Sequence, residues 1–386
     1  MSVQILVVDD EEDFEVLIRQ KFRRAIRQGD MTFRFARNGA EALVVLHEQP
    51  NVDLVLTDIN MPVMDGLTLL KHLSQVNPWL RSVVVSAYGD MANIRTAMNR
   101  GAFDFVTKPI DFNDLQVTIE KTLRQVEERK RADQQRRELG AIERDLSVAG
   151  QLQQDILPEA SPRFNDWPQV KLRAFLQPAR MVGGDFYDYF QLDDEHLGIV
   201  IGDVSGKGIA SAFFMAVART MIRSIALTNN DPSACLKNVN EILTRGNDSA
   251  MFVTVFYGRI NVKSGLMHYC NGGHPAPLVI SSDGTVRSLA SNGNPALGFM
   301  GEAEYSGDSL SLEPDDQFLA YTDGITEAFD GEDKMFGYEG LLHAVRDRHA
   351  ASVDELCNNL IMAVNEFQAT NGQTDDIALL ALQCAR

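Results

Sequence analysis

Aspartates fall into two sets along this chain, and each set has the residue types that a metal-dependent phosphoryl site needs. The first is Asp9-Asp10, Asp58, Ser86 and Lys108-Pro109. The second is Asp185 in VGGDFYD, Asp203 in GDVSGKG, Asp323 in TDGITEA and Asp375-Asp376 in QTDDIALL. In the first set, Asp10 and Asp58 can hold one divalent cation through hard carboxylate oxygens, with Asp9 in support and room left for a phosphoryl group. Asp58 is then the nucleophile and forms an acyl phosphate. Lys108 neutralises phosphoryl oxygens, Ser86 hydrogen-bonds one of them, and Pro109 shapes the loop, with a cis bond as one option. An acid pair at a strand end is often only a helix N-cap. Four such features in this order call for more than that.

The second set suits a two-metal site. Two divalent ions about 3.5–4 Å apart can activate a bridging water and clamp phosphoryl oxygens. So many carboxylates repel one another when no cation is present. Glycines beside them let the backbone approach a metal or substrate closely. The first set therefore reads as built to accept a phosphoryl group, and the second to remove one.

Hydrophobic periodicity supplies the elements that position these residues. Residues 3 to about 124 alternate short apolar runs (Ile5–Val8, Phe33–Phe35, Leu54–Leu56, Val83–Val85, Phe103–Val106) with amphipathic stretches (from Asp13 to Arg27, Ala40 to Glu48, Leu67 to Val76, Met91 to Arg100, then from Leu115). Five strands alternating with helices predict an α/β doubly wound, five-stranded parallel sheet. In such sheets the site lies at the carboxyl ends of the strands, which is where Asp9-Asp10, Asp58, Ser86 and Lys108 fall. From about Ile119 to Ile156, Pro and Gly nearly vanish. Apolar residues there recur at Ile119, Leu123 and Val126, then at Leu139, Ile142, Leu146 and Ala149. Such steps mark a coiled-coil seam, broken by the charged Glu127–Glu138. Two readings follow: a solvated linker helix, or a parallel dimeric helix that transmits a signal. Pro158 and Pro162 end it.

Beyond Val170 alternating runs such as Gly198–Gly202, Phe252–Ile260 and Gln317–Tyr321 predict antiparallel strands. Helical stretches at Gly208–Ala226, Pro232–Arg245 and Val353–Gln368 interrupt them, and a last strand is expected at Ile377–Leu382. The pattern predicts an α+β, α-β-β-α sandwich. The domain expectation is 1–124, a helical or coiled-coil linker at 125–157, and 158–386.

The formal net charge of −18 disfavours nucleic acid as a partner. Apolar stretches such as Ala210–Ala218 are shorter than the roughly 20 residues of a membrane span, so no membrane partner is expected. The four cysteines, Cys235, Cys270, Cys357 and Cys384, show no ligand or disulfide spacing. That predicts reduced thiols and a cytoplasmic location.

The motifs VVDDEE, DINMPVMDG, VVVSAYGD and FVTKP resemble the receiver domain of two-component response regulators over residues 3–124. The resemblance implies a sensor histidine kinase as phosphodonor and Mg2+ as cofactor. It also implies a metal contact from the Asn60 backbone carbonyl, and a switch formed by Ser86 and the aromatic Phe105. From about residue 150 the motifs VGGDFYD, GDVSGKGIASA, NGGHPAPLV, YTDGITEA and GQTDDIALL resemble the PPM family of Mg/Mn-dependent serine/threonine phosphatases. The closest branch is the sporulation and stress-response phosphatases that act on anti-sigma-factor antagonists. That resemblance implies two Mn2+ or Mg2+ ions. Asp203 bridges both, the Val204 backbone carbonyl ligates one, and Asp323 and Asp375 complete the other's shell. Asp185 holds metal-bound water, Asp376 is the lesser member of its pair, and Arg180 stands where related enzymes grip phosphate. Lys207 is expected to be structural or solvent-facing, and His274 a satisfied loop histidine. The chain then reads as a response regulator, dimeric through its linker, whose output is dephosphorylation of phosphoserine or phosphothreonine on a protein. The rival reading is an adaptor that sequesters a partner in a phosphorylation-dependent way; the intact aspartates disfavour it.

Overall fold

The computed structural model describes residues 3–77, 79–87, 90–347, 350–368 and 372–384. Met1–Ala141 and Ile142–Arg386 form two compact units. The first contains β1 (Val3–Val8), α1 (Glu12–Lys21), α2 (Arg23–Gln28), β2 (Met31–Ala36), α3 (Gly39–Glu48), β3 (Leu54–Asp58), α4 (Gly66–Val76), β4 (Arg81–Ala87), α5 (Met91–Asn99), β5 (Asp104–Lys108) and the start of α6 (Phe112–Ile156). All strand pairings are parallel, in the order β2-β1-β3-β4-β5. Alternate strand residues feed two cores, one on each sheet face: Leu6, Val8, Val55 and Val84 on one side, and Ile5, Val7, Leu54 and Val83 on the other. This is the doubly wound sheet expected. The single amphipathic stretch expected from Asp13 to Arg27 is two helices, broken at Phe22, whose ring is buried.

The long helix α6 runs unbroken for 45 residues. Its first apolar residues do not form a free seam. Leu115 and Ile119 are fully buried in the first unit's core, Leu123 packs against it, and Val126 is buried. Burial of these side chains follows from α6 being the last helix over that sheet face. Apart from Val117, the large apolar residues left exposed lie further on, at Leu139, Ile142, Val148, Leu152 and Ile156.

The second unit contains two antiparallel five-stranded sheets. Its elements are β6 (Val170–Gln177), β7 (Phe186–Gln191), β8 (His196–Val204), α7 (Ile209–Ala226), α8 (Pro232–Thr244), β9 (Val253–Asn261), β10 (Leu266–Gly272), β11 (Leu278–Ile280), β12 (Val286–Ser288), β13 (Asp308–Ser311), β14 (Gln317–Tyr321), α9 (Asp323–Thr326), α10 (Gly337–Asp347), α11 (Val353–Gln368) and β15 (Ile377–Cys384). The sheet orders are β13-β10-β9-β8-β7 and β12-β11-β14-β15-β6. β15 shows why the layers form. All eight residues are buried. Ala378, Leu380 and Leu382 enter the core between the sheets, while Ile377, Leu379 and Ala381 face the core under α10 and α11. On the other side α7 and α8 cover Val200, Val255 and Tyr257. The result is the expected α-β-β-α sandwich.

Helix α7 is long and apolar enough to cross a membrane by length and composition. Its packing is that of a core helix: Met215, Ala218 and Ile222 are fully buried against the sheet. Arg219 and Arg223 lie 3.2 and 3.4 Å from the buried Asp188 of β7.

Candidate functional site

In the first unit the strand ends converge as parallel topology requires. Asp9 follows β1, Asp58 ends β3, Ser86 lies near the end of β4 and Lys108 ends β5. Asp9, Asp10 and Asp58 have ligand atoms within 4.8 Å of one another, the one such acidic trio among the described residues. Asp9 and Asp58 are buried and Asp10 is exposed. Lys108 Nζ donates to Asp58 Oδ2 at 2.6 Å and to Asp9 Oδ2 at 3.2 Å. Burial opposes the Lys108 charge, but Asp58 and then Asp9 outweigh it and keep the ammonium fully charged. Burial raises Asp9 above its ordinary range, against the amide of Glu11 and the charge of Lys108. The Asn60 amide donates to Asp58 Oδ1 at 3.2 Å. Ser86 Oγ is buried with no hydrogen-bond partner among the described residues. Phe105 is half-buried against the sheet core, and the Lys108-Pro109 bond is cis. Glu11, which the sequence reading passed over, reaches Lys108 at 3.5 Å.

In the second unit antiparallel register does the same work. Phe186 of β7 pairs with Gly202 of β8, which sets Asp185 beside Asp203. Tyr321 of β14 pairs with Leu379 of β15, which brings Asp323 to Asp375 and Asp376 at the start of β15. The buried Asp185 accepts from Thr322 Oγ1 at 2.6 Å. Burial holds its carboxyl well above the usual range, and the charges of Asp203 and Asp376 add to the shift against the Thr322 bond. Asp203 is raised by burial and by Asp375, Asp376 and Glu327, with the Asp185 carboxyl opposing. Asp323 is pushed up to about 7 by burial, then by Asp203, Glu327 and Asp375. Their carboxyls, shifted upward by burial and mutual repulsion, offer hard oxygens to divalent cations, spread more widely than those of the Asp9, Asp10 and Asp58 trio. Gly184 tightens it: a Cβ there would lie 2.7 Å from the Val204 carbonyl oxygen.

Other residues sort themselves by their contacts. Asp376 accepts the Ala179 amide at 2.8 Å and the Gly184 amide at 2.7 Å, so its carboxylate anchors the 179–184 loop. Removing it strands two backbone donors. Asp376→Ala is expected to cost about 2–4 kcal/mol, read by chemical denaturation; an unchanged midpoint would disprove the anchor. Lys207 bridges to Asp375 Oδ2 at 2.9 Å and donates to the Thr374 carbonyl. Arg180 is exposed at the loop. Glu327 was not singled out from the sequence. Its signal was the spacing from Asp323, four residues on, which places both on one side of a helical turn.

His274 is buried, with Nδ1 3.0 Å from Thr254 Oγ1. Its Nε2 has no hydrogen-bond partner among the described residues, so only one ring nitrogen of the expected satisfied histidine is satisfied. Burial pushes its pKa down to about 3. As pH falls below 6.5 the unfolded chain takes up a proton that the folded one refuses. This histidine thus withdraws stability on acidification, by up to about 1.4 kcal/mol per pH unit. His274→Asn keeps an acceptor for Thr254 and is expected to flatten the fall between pH 7.5 and 5.5 in urea denaturation. Identical slopes for the two proteins would refute this.

The sequence profile of the stage II sporulation protein E family matches residues 193–385, half of the chain. The chain belongs to the SpoIIE family. Ahead of the SpoIIE match, the response regulator receiver domain profile matches residues 5–120. Among relatives, Protein IcfG of Synechocystis sp. is 31% identical over 62% of this chain and 41% of its own. Phosphoserine phosphatase RsbU of Bacillus subtilis is 28% identical over 63% of this chain and 70% of its own. The chain thus spans about two fifths of the first relative's length and seven tenths of the second's. The SiaA-PP2C domain of Pseudomonas aeruginosa superposes with a TM-score of 0.56 at 23% identity, covering 64% of this chain and 98% of that one. It shares the fold of the second unit. The chain is therefore a receiver domain joined to a domain of the SpoIIE family.

Proposed function

We propose that this protein is a response regulator whose output is removal of phosphate from phosphoserine or phosphothreonine on a protein. The carboxylate cluster of Asp185, Asp203, Asp323 and Asp375 carries the reading. Asp203, the Val204 carbonyl, Asp323 and Asp375 would hold two Mn2+ or Mg2+ ions. When bound, the ions supply an activated water and a clamp on the phosphoryl oxygens. The chain's own contribution is positional. Thr322 fixes the Asp185 carboxyl, Lys207 steadies Asp375, and Asp376 keeps the 179–184 loop seated. Arg180 stands at that loop as a candidate for the substrate phosphate. By the resemblance to sporulation and stress-response phosphatases, the substrate is assigned as a phosphorylated anti-sigma-factor antagonist.

In the receiver, Asp9, Asp10, Asp58 and the Asn60 carbonyl would hold one Mg2+. Asp58 would accept the phosphoryl group of a sensor histidine kinase, with Lys108 on its oxygens and the orphan Ser86 hydroxyl as an added donor. Helix α6 is the route assigned for control. Gln153 donates to the Gly183 carbonyl at 2.6 Å and accepts its amide at 3.0 Å. Gly150 sits so close that a Cβ would fall 2.1 Å from the Met181 carbonyl oxygen. The end of α6 therefore grips the loop that leads into Asp185. A homodimer through the exposed Leu139, Ile142 and Leu152 face would couple that grip to receiver state. Four buried, unpaired cysteines suit a cytoplasmic protein.

The test is hydrolysis of an aryl phosphate and of a phosphoserine protein with Mn2+, with and without beryllofluoride on Asp58. Activity that changes with beryllofluoride supports the reading and gives the sign of control. No hydrolysis of either substrate in either state sinks it.

A further inference from the structure

An apolar surface with no assigned role lies beside the Asp203 loop. Phe213 is 73% exposed, Phe299 66%, Ile209 65% and Met300 54%. Large apolar side chains this exposed, in one neighbourhood, mark interaction surfaces more often than chance. Two facts tie the surface to the catalytic loop. Ser205, two residues beyond Asp203, donates its amide to the Phe252 carbonyl at 2.9 Å and accepts the Phe252 amide on Oγ at 3.0 Å. Phe252 meets Phe299 edge-on, with ring centroids 6.0 Å apart. On the other flank Gly298 packs under Phe214, where a Cβ would lie 3.3 Å from the ring. Ile209 and Phe213, one turn apart at the start of α7, follow directly from the same loop.

We infer that Ile209, Phe213, Phe299 and Met300 form the docking surface for the substrate protein, taking large apolar side chains that flank its phosphorylated residue. The inference rests on the phosphatase reading and deepens it. A phosphorylated residue that reaches Asp203 brings its neighbours over the Ser205–Ile209 segment. The carboxylates, through the ions they would hold, would recognise only the phosphate, which every phosphoprotein shares. Choice among substrates must come from the surround, and here the surround is apolar in a chain of net charge −18. Buried apolar contacts that distinguish substrates by one or two side chains are worth roughly tenfold or more in kcat/KM.

The experiment uses the full chain with Mn2+ and three substrates: para-nitrophenyl phosphate, a phosphoserine peptide flanked by Leu and Phe, and the same peptide flanked by Ser and Gly. Wild type is expected to favour the apolar peptide at least about tenfold in kcat/KM. The double variant Phe213→Ser/Phe299→Ser should lose that preference through KM and leave para-nitrophenyl phosphate turnover unchanged. Equal treatment of both peptides by wild type overturns the inference. So does a double variant that loses all three substrates alike, or one that keeps the preference but changes from dimer to monomer, which would assign the surface to a second copy. If wild type fails on para-nitrophenyl phosphate, the phosphatase reading falls. Fluorescence anisotropy of the labelled apolar peptide then decides the surface alone: binding lost in the double variant supports it, and equal binding rejects it.

Discussion

Asp203→Asn is expected to lower phosphatase turnover by roughly a thousandfold or more, about 4 kcal/mol of barrier. Asp203 stands at the centre of the cluster, facing Asp185, Asp375, Asp376 and Glu327. The same substitution should stabilise the metal-free protein. It removes one of several like charges that burial and repulsion already hold above their usual range. A gain of about 1–2 kcal/mol is expected. Mn2+ should then raise the melting temperature of wild type more than that of the variant, because only wild type keeps the full donor set. The check is a pair of thermal scans beside an aryl phosphate assay. A variant that loses activity and also melts lower without metal would mean that Asp203 is a structural residue.

Asp58→Asn is expected to abolish covalent phosphorylation of the chain by acetyl phosphate or a phosphohistidine donor. Among the three clustered acids, Asp58 has the shortest contact to Lys108, at 2.6 Å. Lys108 also reaches Asp9. Lys108→Ala leaves two buried carboxylates facing each other without their cation and should slow phosphoryl uptake by about a hundredfold. Acid-labile label on the intact protein measures both. Label that persists in Asp58→Asn would move the acceptor to Asp9 or Asp10.

Much of the architecture was legible because period-two and period-3.6 patterns were strong where faces are buried. Val353–Gln368 reads directly as a helix, and β3, buried at all five positions, reads as an apolar run. The break at Phe22 was not legible, since the 3.6 period runs through it. The first residues of the linker seam misled because periodicity reports burial and not the partner. Ile119 is buried, but against its own sheet. The aspartates were visible from glycine-rich contexts, whereas Thr322 and Gln153 were not. Their work depends on which strands are neighbours, and antiparallel pairing across long separations leaves no local trace.

That pairing also governs when the second unit can first work. β6, its earliest strand, is partnered by β15, with Gln177 opposite Ile377 and Val170 opposite Cys384. The two are separated by 200 residues at the near end. Contacts so distant in sequence form late, because loop closure precedes any gain. On the ribosome the receiver can fold as its own unit while the second sheet still lacks β15, the strand that joins β6 to β14. Asp375 arrives with that strand. A nascent chain can therefore be competent to receive a signal before it is able to act on one.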